Sequence, residues 1–309
     1  MGVRAGSFRS VGGGLAVVVT VVLTACGGDG PAARTSTGPA SRGSSTSESD
    51  LAVASEPEPP PPVAVRFGDR SIELEPWTYC YGNGCSDGMP PTDPPDVGSP
   101  DEVVVEYPLT DWSFTASFRP ADDECGRVQE GVALDRQGDG THVLSPAGYA
   151  DTYDVRLFGQ GNGDLFVSFR WTTPNDGPLP TPAARLAVLA DHDGRVDSYG
   201  VELELTHLAA TPAAAAATIT VRAADGRALT FEATRAAVDC LPVGTVYWDG
   251  PDDQGLAAAA LGEGPFTYEV SVVLDGVHYT ARAAWPDDVI VGNEPSVALD
   301  FQPELPALT

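Results

Sequence analysis

The chain has 309 residues and carries 44 Asp and Glu against 17 Arg, with no Lys, for a net charge of −27 at pH 7. So acidic a chain repels phosphate backbones, which excludes nucleic acid as a partner class and suits a protein kept soluble outside the cell. Its length accommodates two domains of ordinary size.

Arg4 and Arg9 precede an uncharged run, Val11 to Leu23, rich in Val, Leu, Ala and Gly and followed by small residues and a cysteine. A charged start, an apolar stretch and a small-residue cleavage site read as a secretory signal over residues 1–25. Thirteen residues at about 1.5 Å each span roughly 20 Å of helix, short of the roughly 30 Å hydrocarbon core of a bilayer. Leu23-Thr24-Ala25-Cys26 resembles the lipobox of bacterial lipoproteins. That resemblance implies diacylglycerol on the Cys26 thiol, cleavage before Cys26 and acylation of the new amino terminus. Two or three acyl chains hold a protein firmly where one holds it marginally, so the expected location is the extracytoplasmic face of the cell membrane, with the bilayer as first partner. Without the signal the chain carries 15 Arg against 44 acidic residues, a net charge of −29. This Arg-only, Ala- and Gly-rich composition is similar to that of secreted proteins of high-GC Gram-positive bacteria.

Residues 26–62 form the next unit. From Gly27 to Pro62, Gly, Ser, Thr, Ala and Pro dominate, and Glu56-Pro57-Glu58 runs into Pro59 to Pro62. A segment with so little to bury cannot offset its chain entropy, so it is read as a disordered tether. As a coil it spans on the order of 30 to 35 Å, and further at its proline end.

The remainder shows internal similarity at an offset near 115 residues. Thr152-Tyr153-Asp154-Val155 matches Thr267-Tyr268-Glu269-Val270, Trp171 matches Trp285, Cys125 matches Cys240, and Phe114-Thr115-Ala116 matches Phe231-Glu232-Ala233. Within each copy the apolar period is two, which predicts strands. Tyr153, Val155 and Leu157 share one face, as do Leu165, Val167, Phe169 and Trp171. The six residues Gly159 to Asp164 read as a hairpin loop, and Asp275-Gly276 as a two-residue turn. Further strands are predicted over 63–67, 71–75, 103–107 and 112–118, and over 186–190, 199–205, 218–222 and 229–234. The Ala runs 213–217 and 257–260 follow turn residues and read as loops.

Short strands broken by Gly, Pro and Asp indicate antiparallel sandwiches. Tyr153 and Tyr268, each preceded by a turn, resemble the tyrosine corner of immunoglobulin-like domains. Val155 and Val270 stand where that fold's second core cysteine would be, so the resemblance is to cysteine-free bacterial modules. The expected fold is all-β, with two tandem Ig-like antiparallel β-sandwich domains, 63–180 and 181–309.

With Cys26 lipidated, Cys80, Cys85, Cys125 and Cys240 remain in an oxidising compartment where disulfides persist. Four cysteines allow three pairings. The glycines of Tyr81-Gly82-Asn83-Gly84 favour 80 with 85, and hence 125 with 240. Under any pairing Cys240 either reaches the first copy or stays free, and a crossing bond requires Cα atoms within about 7 Å.

No signature of catalysis occurs: there is no Gly-x-Ser-x-Gly, His-Glu-x-x-His, phosphate loop or Cys-x-x-Cys, and His142, His192, His207 and His278 have no metal spacing. The chain is therefore read as non-enzymatic and without a cofactor. Asp191-His192-Asp193-Gly194-Arg195-Val196-Asp197 resembles a calcium loop in its alternating oxygens, with Asp191, Asp193 and Asp197 as ligands, but Arg195 stands at a ligand position and no bidentate Glu follows. The first copy carries an insertion that the second lacks, with Trp77, Tyr79 and Tyr81 around Cys80 and Cys85. Aromatics on a stiff support suit a contact surface. These features together predict a lipid-anchored, non-enzymatic binding or structural module at the cell envelope, contacting an envelope protein or glycan. The alternative is a solute- or polysaccharide-binding lipoprotein, with calcium-dependent adhesion as a variant.

Overall fold

The computed structural model describes residues 58–309. The segment expected to be a signal, Cys26 and the part of the expected tether up to residue 57 lie outside the described residues.

The first half contains β1 (Val63–Phe67), β2 (Arg70–Leu74), β3 (Thr78–Tyr81), β4 (Gly84–Ser86), β5 (Val103–Glu106), β6 (Ser113–Pro120), β7 (Gln129–Ala133), β8 (Asp135–Gly138), β9 (Thr141–Leu144), β10 (Thr152–Gly161) and β11 (Gly163–Thr172). They form two antiparallel sheets, in the orders β2-β1-β5-β9-β8 and β4-β3-β11-β10-β6-β7. With β2 and the β3–β4 hairpin set aside, β1-β5-β9-β8 and β11-β10-β6-β7 reproduce the A-B-E-D and G-F-C arrangement of an immunoglobulin sandwich, extended by one strand. The second half contains β12 (Ala183–His192), β13 (Arg195–Thr206), β14 (Ala215–Arg222), β15 (Ala228–Arg235), β16 (Val246–Asp249), α1 (Asp252–Ala259), β17 (Phe266–Leu274), β18 (Val277–Trp285) and β19 (Val297–Ala298). Its order is β18-β17-β14-β15-β16-β13-β12-β19, and the two positions at which β15 pairs with β16 join its two layers into one continuous sheet.

The alternating residues read from the sequence point inward and make two separate cores. Phe118, Leu157, Phe169 and Trp171 fill the first, and Leu203, Trp248, Phe266 and Tyr268 fill the second. All eight are fully buried.

Several local expectations are corrected. The loop expected over Gly159 to Asp164 shrinks to Asn162, because the ladder runs on to Gly161 and Gly163. Gly159 and Gly161 permit this: a Cβ on either would lie 2.6 Å from the Phe114 ring or 2.7 Å from the Trp112 ring, so only glycine lets these rings lie across the strand. The Asp275-Gly276 turn is as expected, with φ of +47° and +87°, as the mirror-image type I hairpin turn requires. Ala215 to Ala217 begin β14, with Ala217 in the core. Ala257 to Ala259 end α1, whose first turn carries Asp252 and Asp253 and which buries Ala258 against the second sandwich. Tyr153 and Tyr268 occupy equivalent strands, as do Trp171 and Trp285. Phe114 and Phe231 do not: β6 adjoins β10, whereas β15 lies one strand away from β17. Cys125 and Cys240 likewise fall in different connections.

The tyrosine corner forms in one copy alone. Tyr153 donates its hydroxyl to the Tyr149 carbonyl at 2.7 Å, and burial, then Asp151 and Asp176, push that hydroxyl's pKa up to about 12. Tyr268 is fully buried, and its hydroxyl lies toward the Leu189 backbone without reaching hydrogen-bond geometry. The reason is register. β10 starts one residue before Tyr153, whereas β17 starts two residues before Tyr268 and already pairs Phe266 with Trp285, so Tyr268 sits inside the ladder instead of at its mouth. Tyr153→Phe is expected to cost about 1 kcal/mol by orphaning a carbonyl, while Tyr268→Phe is neutral or stabilising because it removes an unpaired buried hydroxyl. Paired urea melts of the two variants check this; equal losses would contradict it.

Both disulfides favoured by the sequence are present. Cys80 bonds Cys85 across adjoining strands, with Cα atoms 4.0 Å apart. Cys125 bonds Cys240 across the two sandwiches, with Cα atoms 5.1 Å apart. Around the crossing bond, the Val243 N–H donates to the Cys125 carbonyl at 3.1 Å. Arg127 donates to the Leu208 and Ala209 carbonyls at 2.8 and 2.9 Å. Gly244, at φ +84°, leaves room for that guanidinium, since a Cβ there would lie 2.6 Å from it.

His142 is buried beside Phe114 without a partner for its Nε2. Burial first, and Arg136 second, lower its pKa. His207 is also lowered, chiefly by burial. The unfolded chain therefore binds protons that the folded one refuses, so stability is full above about pH 6.5 and falls as pH drops below it, by at most about 1.4 kcal/mol per pH unit for each histidine. The melting temperature is expected to fall between about pH 7 and pH 5, and His142→Leu to lose part of that dependence. A slope unchanged in the variant would exclude His142 as its source.

Candidate functional site

The outward face of the β4-β3-β11-β10-β6-β7 sheet does not follow the polar-out rule of a solvated sheet. Register places its residues in three rungs. Thr115, Phe158, Phe166 and Thr78 lie in line across four strands, then Ser117, Arg156 and Ser168, then Arg119, Asp154 and Arg170.

The first rung is aromatic. Phe158 and Phe166 lie with ring centroids 4.8 Å apart, and Trp77 packs on Phe166 at 5.5 Å. Trp77 is held from both ends of its residue. Its backbone N–H donates to the Phe166 carbonyl at 3.1 Å and its indole N–H to Ser168 Oγ at 3.2 Å. The Arg156 guanidinium carbon lies 5.3 Å from the Trp77 ring centroid, a cation–π distance. Partial burial first, and neighbouring Arg119 second, lower the Arg156 pKa, with Glu130 opposing them. In the third rung Asp154 accepts from Arg170 at 2.8 and 3.3 Å, which raises the Arg170 pKa and leaves Arg119 as the rung's unneutralised charge. Arg119 itself donates to the Glu124 carbonyl.

The insertion supplies a wall. After Cys85 the chain turns back over Trp77, where a Cβ on Gly88 would lie 1.8 Å from the Trp77 carbonyl oxygen. It then runs as a strap beside β11. The Val97 N–H donates to the Arg170 carbonyl at 3.0 Å, the Arg170 N–H to the Pro95 carbonyl at 2.8 Å, the Thr172 N–H to the Gly98 carbonyl at 3.0 Å, and the Trp171 indole to the Pro100 carbonyl at 3.0 Å. Between the wall of Pro90, Pro91 and Pro94 and the side formed by Glu124, Glu130 and Cys240 lies a cleft of about 460 Å³ floored by Ser117, Arg156 and Ser168.

The three aromatics expected to form one contact surface separate. Trp77 joins the outward rung, whereas Tyr79 and Tyr81 turn to the other face and pack against the first core, Tyr81 toward Trp112 at 6.4 Å. A strand alternates its side chains, but Trp77 precedes β3 and is not bound by that alternation. The sequence reading missed Arg119, Arg156, Glu130 and the proline wall. Outward Arg and Ser look like any solvated strand face, and only register aligns them. Two outward phenylalanines, Phe158 and Phe166, were the available signal.

Asp191, Asp193 and Asp197 lie at the β12–β13 hairpin, whose turn is Asp193-Gly194 with φ of +53° and +76°. The Asp191 carboxylate accepts from the Gly194 N–H at 2.6 Å and the Asp197 carboxylate from the Ser198 N–H at 2.7 Å. The Asp191 carboxylate is thereby tied to the turn and the Asp197 carboxylate to the strand that follows it. Among the described residues no group of three or more His, Cys, Asp or Glu is placed to hold a metal ion, and no helix is long and apolar enough to cross a membrane.

Neither a scan against protein-family models nor a search of curated proteins finds a match for this chain.

Proposed function

We propose that the protein is a lipoprotein held by Cys26 on the extracytoplasmic face of the cell membrane, where it acts as a non-enzymatic binding module of the cell envelope. The observation that carries the binding role is the outward rung of Phe158, Phe166 and Trp77 beside the cleft over Arg156. Apolar rings left half-buried on the outward face of a sheet serve a contact better than they serve solubility. The anchoring role rests on the segment from Arg4 to Cys26, and two disulfides suit an exported chain. Expression of the full chain and of Cys26→Ser tests the anchor: the parent fractionates with membranes and incorporates labelled fatty acid, and the variant does neither. Capture from envelope extract with the parent and with Trp77→Ala tests the binding role, which is lost if both recover the same material. A second reading, a solute- or polysaccharide-binding lipoprotein, is favoured by the cleft volume of about 460 Å³, within the range of small-ligand sites.

A further inference from the structure

We infer that the cleft between the proline wall and the β6-β10-β11 face takes a neutral saccharide chain. This rests on the binding role proposed above and names its ligand class.

Three observations select that chemistry. First, the lining is balanced in charge. Asp154 is paired with Arg170, which Asp93 on the strap also reaches at 3.7 Å from outside the lining, and the other charged groups of the lining are Arg119 and Arg156 against Glu124 and Glu130. Neither Arg156 nor Glu130 forms an ion pair among the described residues. A polyanion would meet two carboxylates and a polycation two guanidiniums, whereas sugar hydroxyls donate to one and accept from the other. Arg156 offers N–H donors, and Ser168, which accepts from the Trp77 indole, keeps its own hydroxyl proton free to donate.

Second, the backbone of the floor is spent. β10 pairs along its length with β6 on one side and β11 on the other, and the strap takes up further β11 groups at Arg170 and Thr172. An extended peptide gains its affinity from main-chain bonds to an open edge, and this floor offers none. Recognition here goes through hydroxyl, guanidinium and carboxylate groups. Third, the aromatic rung lies next to the polar floor without lining the cleft itself, and Trp77 is joined to that floor through its indole bond to Ser168 and its ring beside Arg156, so a ring with polar edges and apolar C–H faces that extends past the floor meets both kinds of partner.

The experiment is calorimetric titration of the full chain in detergent with neutral hexasaccharides (β-1,4-glucose, β-1,4-N-acetylglucosamine, α-1,6-mannose), a galacturonate hexamer and an oligoglutamate peptide. At least one neutral hexamer is expected to bind, with a Kd that changes less than about twofold between roughly 50 and 500 mM NaCl, since screening weakens ionic contacts and spares neutral ones. Trp77→Ala is expected to weaken binding about tenfold. Glu130→Gln, which leaves the aromatic packing of the sheet in place, and Arg156→Gln, which removes the guanidinium beside Trp77 but keeps the ring contacts among Trp77, Phe166 and Phe158, are each expected to weaken it about fivefold. Binding confined to the galacturonate or the peptide, binding that falls steeply with salt, binding indifferent to Arg156→Gln and Glu130→Gln, or no binding to any neutral hexamer overturns the inference. Should envelope capture still depend on Trp77 in that event, the binding role stands and the saccharide assignment alone is lost.

Discussion

The double variant Cys125→Ser, Cys240→Ser is expected to lose about 5 kcal/mol of stability. The bond closes a loop of 115 residues, and in the chain-entropy model the constraint on the unfolded chain grows with the logarithm of that length. Cys80→Ser, Cys85→Ser, with a separation of 5 residues, is expected to lose about 2 kcal/mol on the same model. Denaturant melts of the parent and the two double variants under non-reducing conditions measure both numbers, and losses in the reverse order would overturn the assignment. The crossing bond also has a local consequence. Cys240 lines the cleft and Val243 holds the Cys125 carbonyl, so its loss loosens one side of the cleft while the floor, on β6, β10 and β11, stays in place.

Trp171→Ala is expected to cost about 3 to 5 kcal/mol, the range for removing a large aromatic from a packed core. Trp171 is fully buried, in contact with Phe118 at 6.0 Å between ring centroids. The substitution also cuts the tie between its indole and the Pro100 carbonyl, and with it one end of the strap that carries the proline wall. Trp171→Phe keeps most of the packing and breaks that tie, so its expected cost is smaller, about 1 to 2 kcal/mol. Urea melts give the stabilities. Hydrogen exchange at the Val97 and Thr172 amides reports the strap, and protection unchanged in Trp171→Phe would show that the strap is held by its backbone bonds alone.

The Ig-like arrangement was readable because two-residue alternation is imposed by burial. Val63, Val65 and Phe67, or Leu165, Val167 and Phe169, each face a core that admits no polar substitute, so the pattern survives in the linear text. Strand ends were read less well. The β10–β11 hairpin outran its expected loop because Phe114 and Trp112, distant in sequence, cover Gly159 and Gly161. The short helix α1 was missed because an eight-residue Ala-rich run gains its stability from packing on β13 and not from its own period.

The two copies show the same division of labour in their tyrosines. Thr-Tyr-Asp-Val and Thr-Tyr-Glu-Val are near-identical strings, yet Tyr153 closes a corner and Tyr268 lies buried with its hydroxyl unpartnered. One extra core residue ahead of Tyr268, Phe266, moves it inward along the strand.

By itself the sequence determined the strand alternation and the placement of two cores, and it favoured Cys80 with Cys85, because those follow from local period and local turn chemistry; that Cys240 reaches Cys125, 115 positions away, only the packing of the two sandwiches decided. Tertiary structure alone decided the cleft. Arg119, Asp154 and Arg170 come from three strands separated by up to 51 positions in the chain, and they form a rung only when register sets those strands side by side. Register depends on long-range packing, and one residue of slip would have sent Arg156 into the core and Val155 to the solvent.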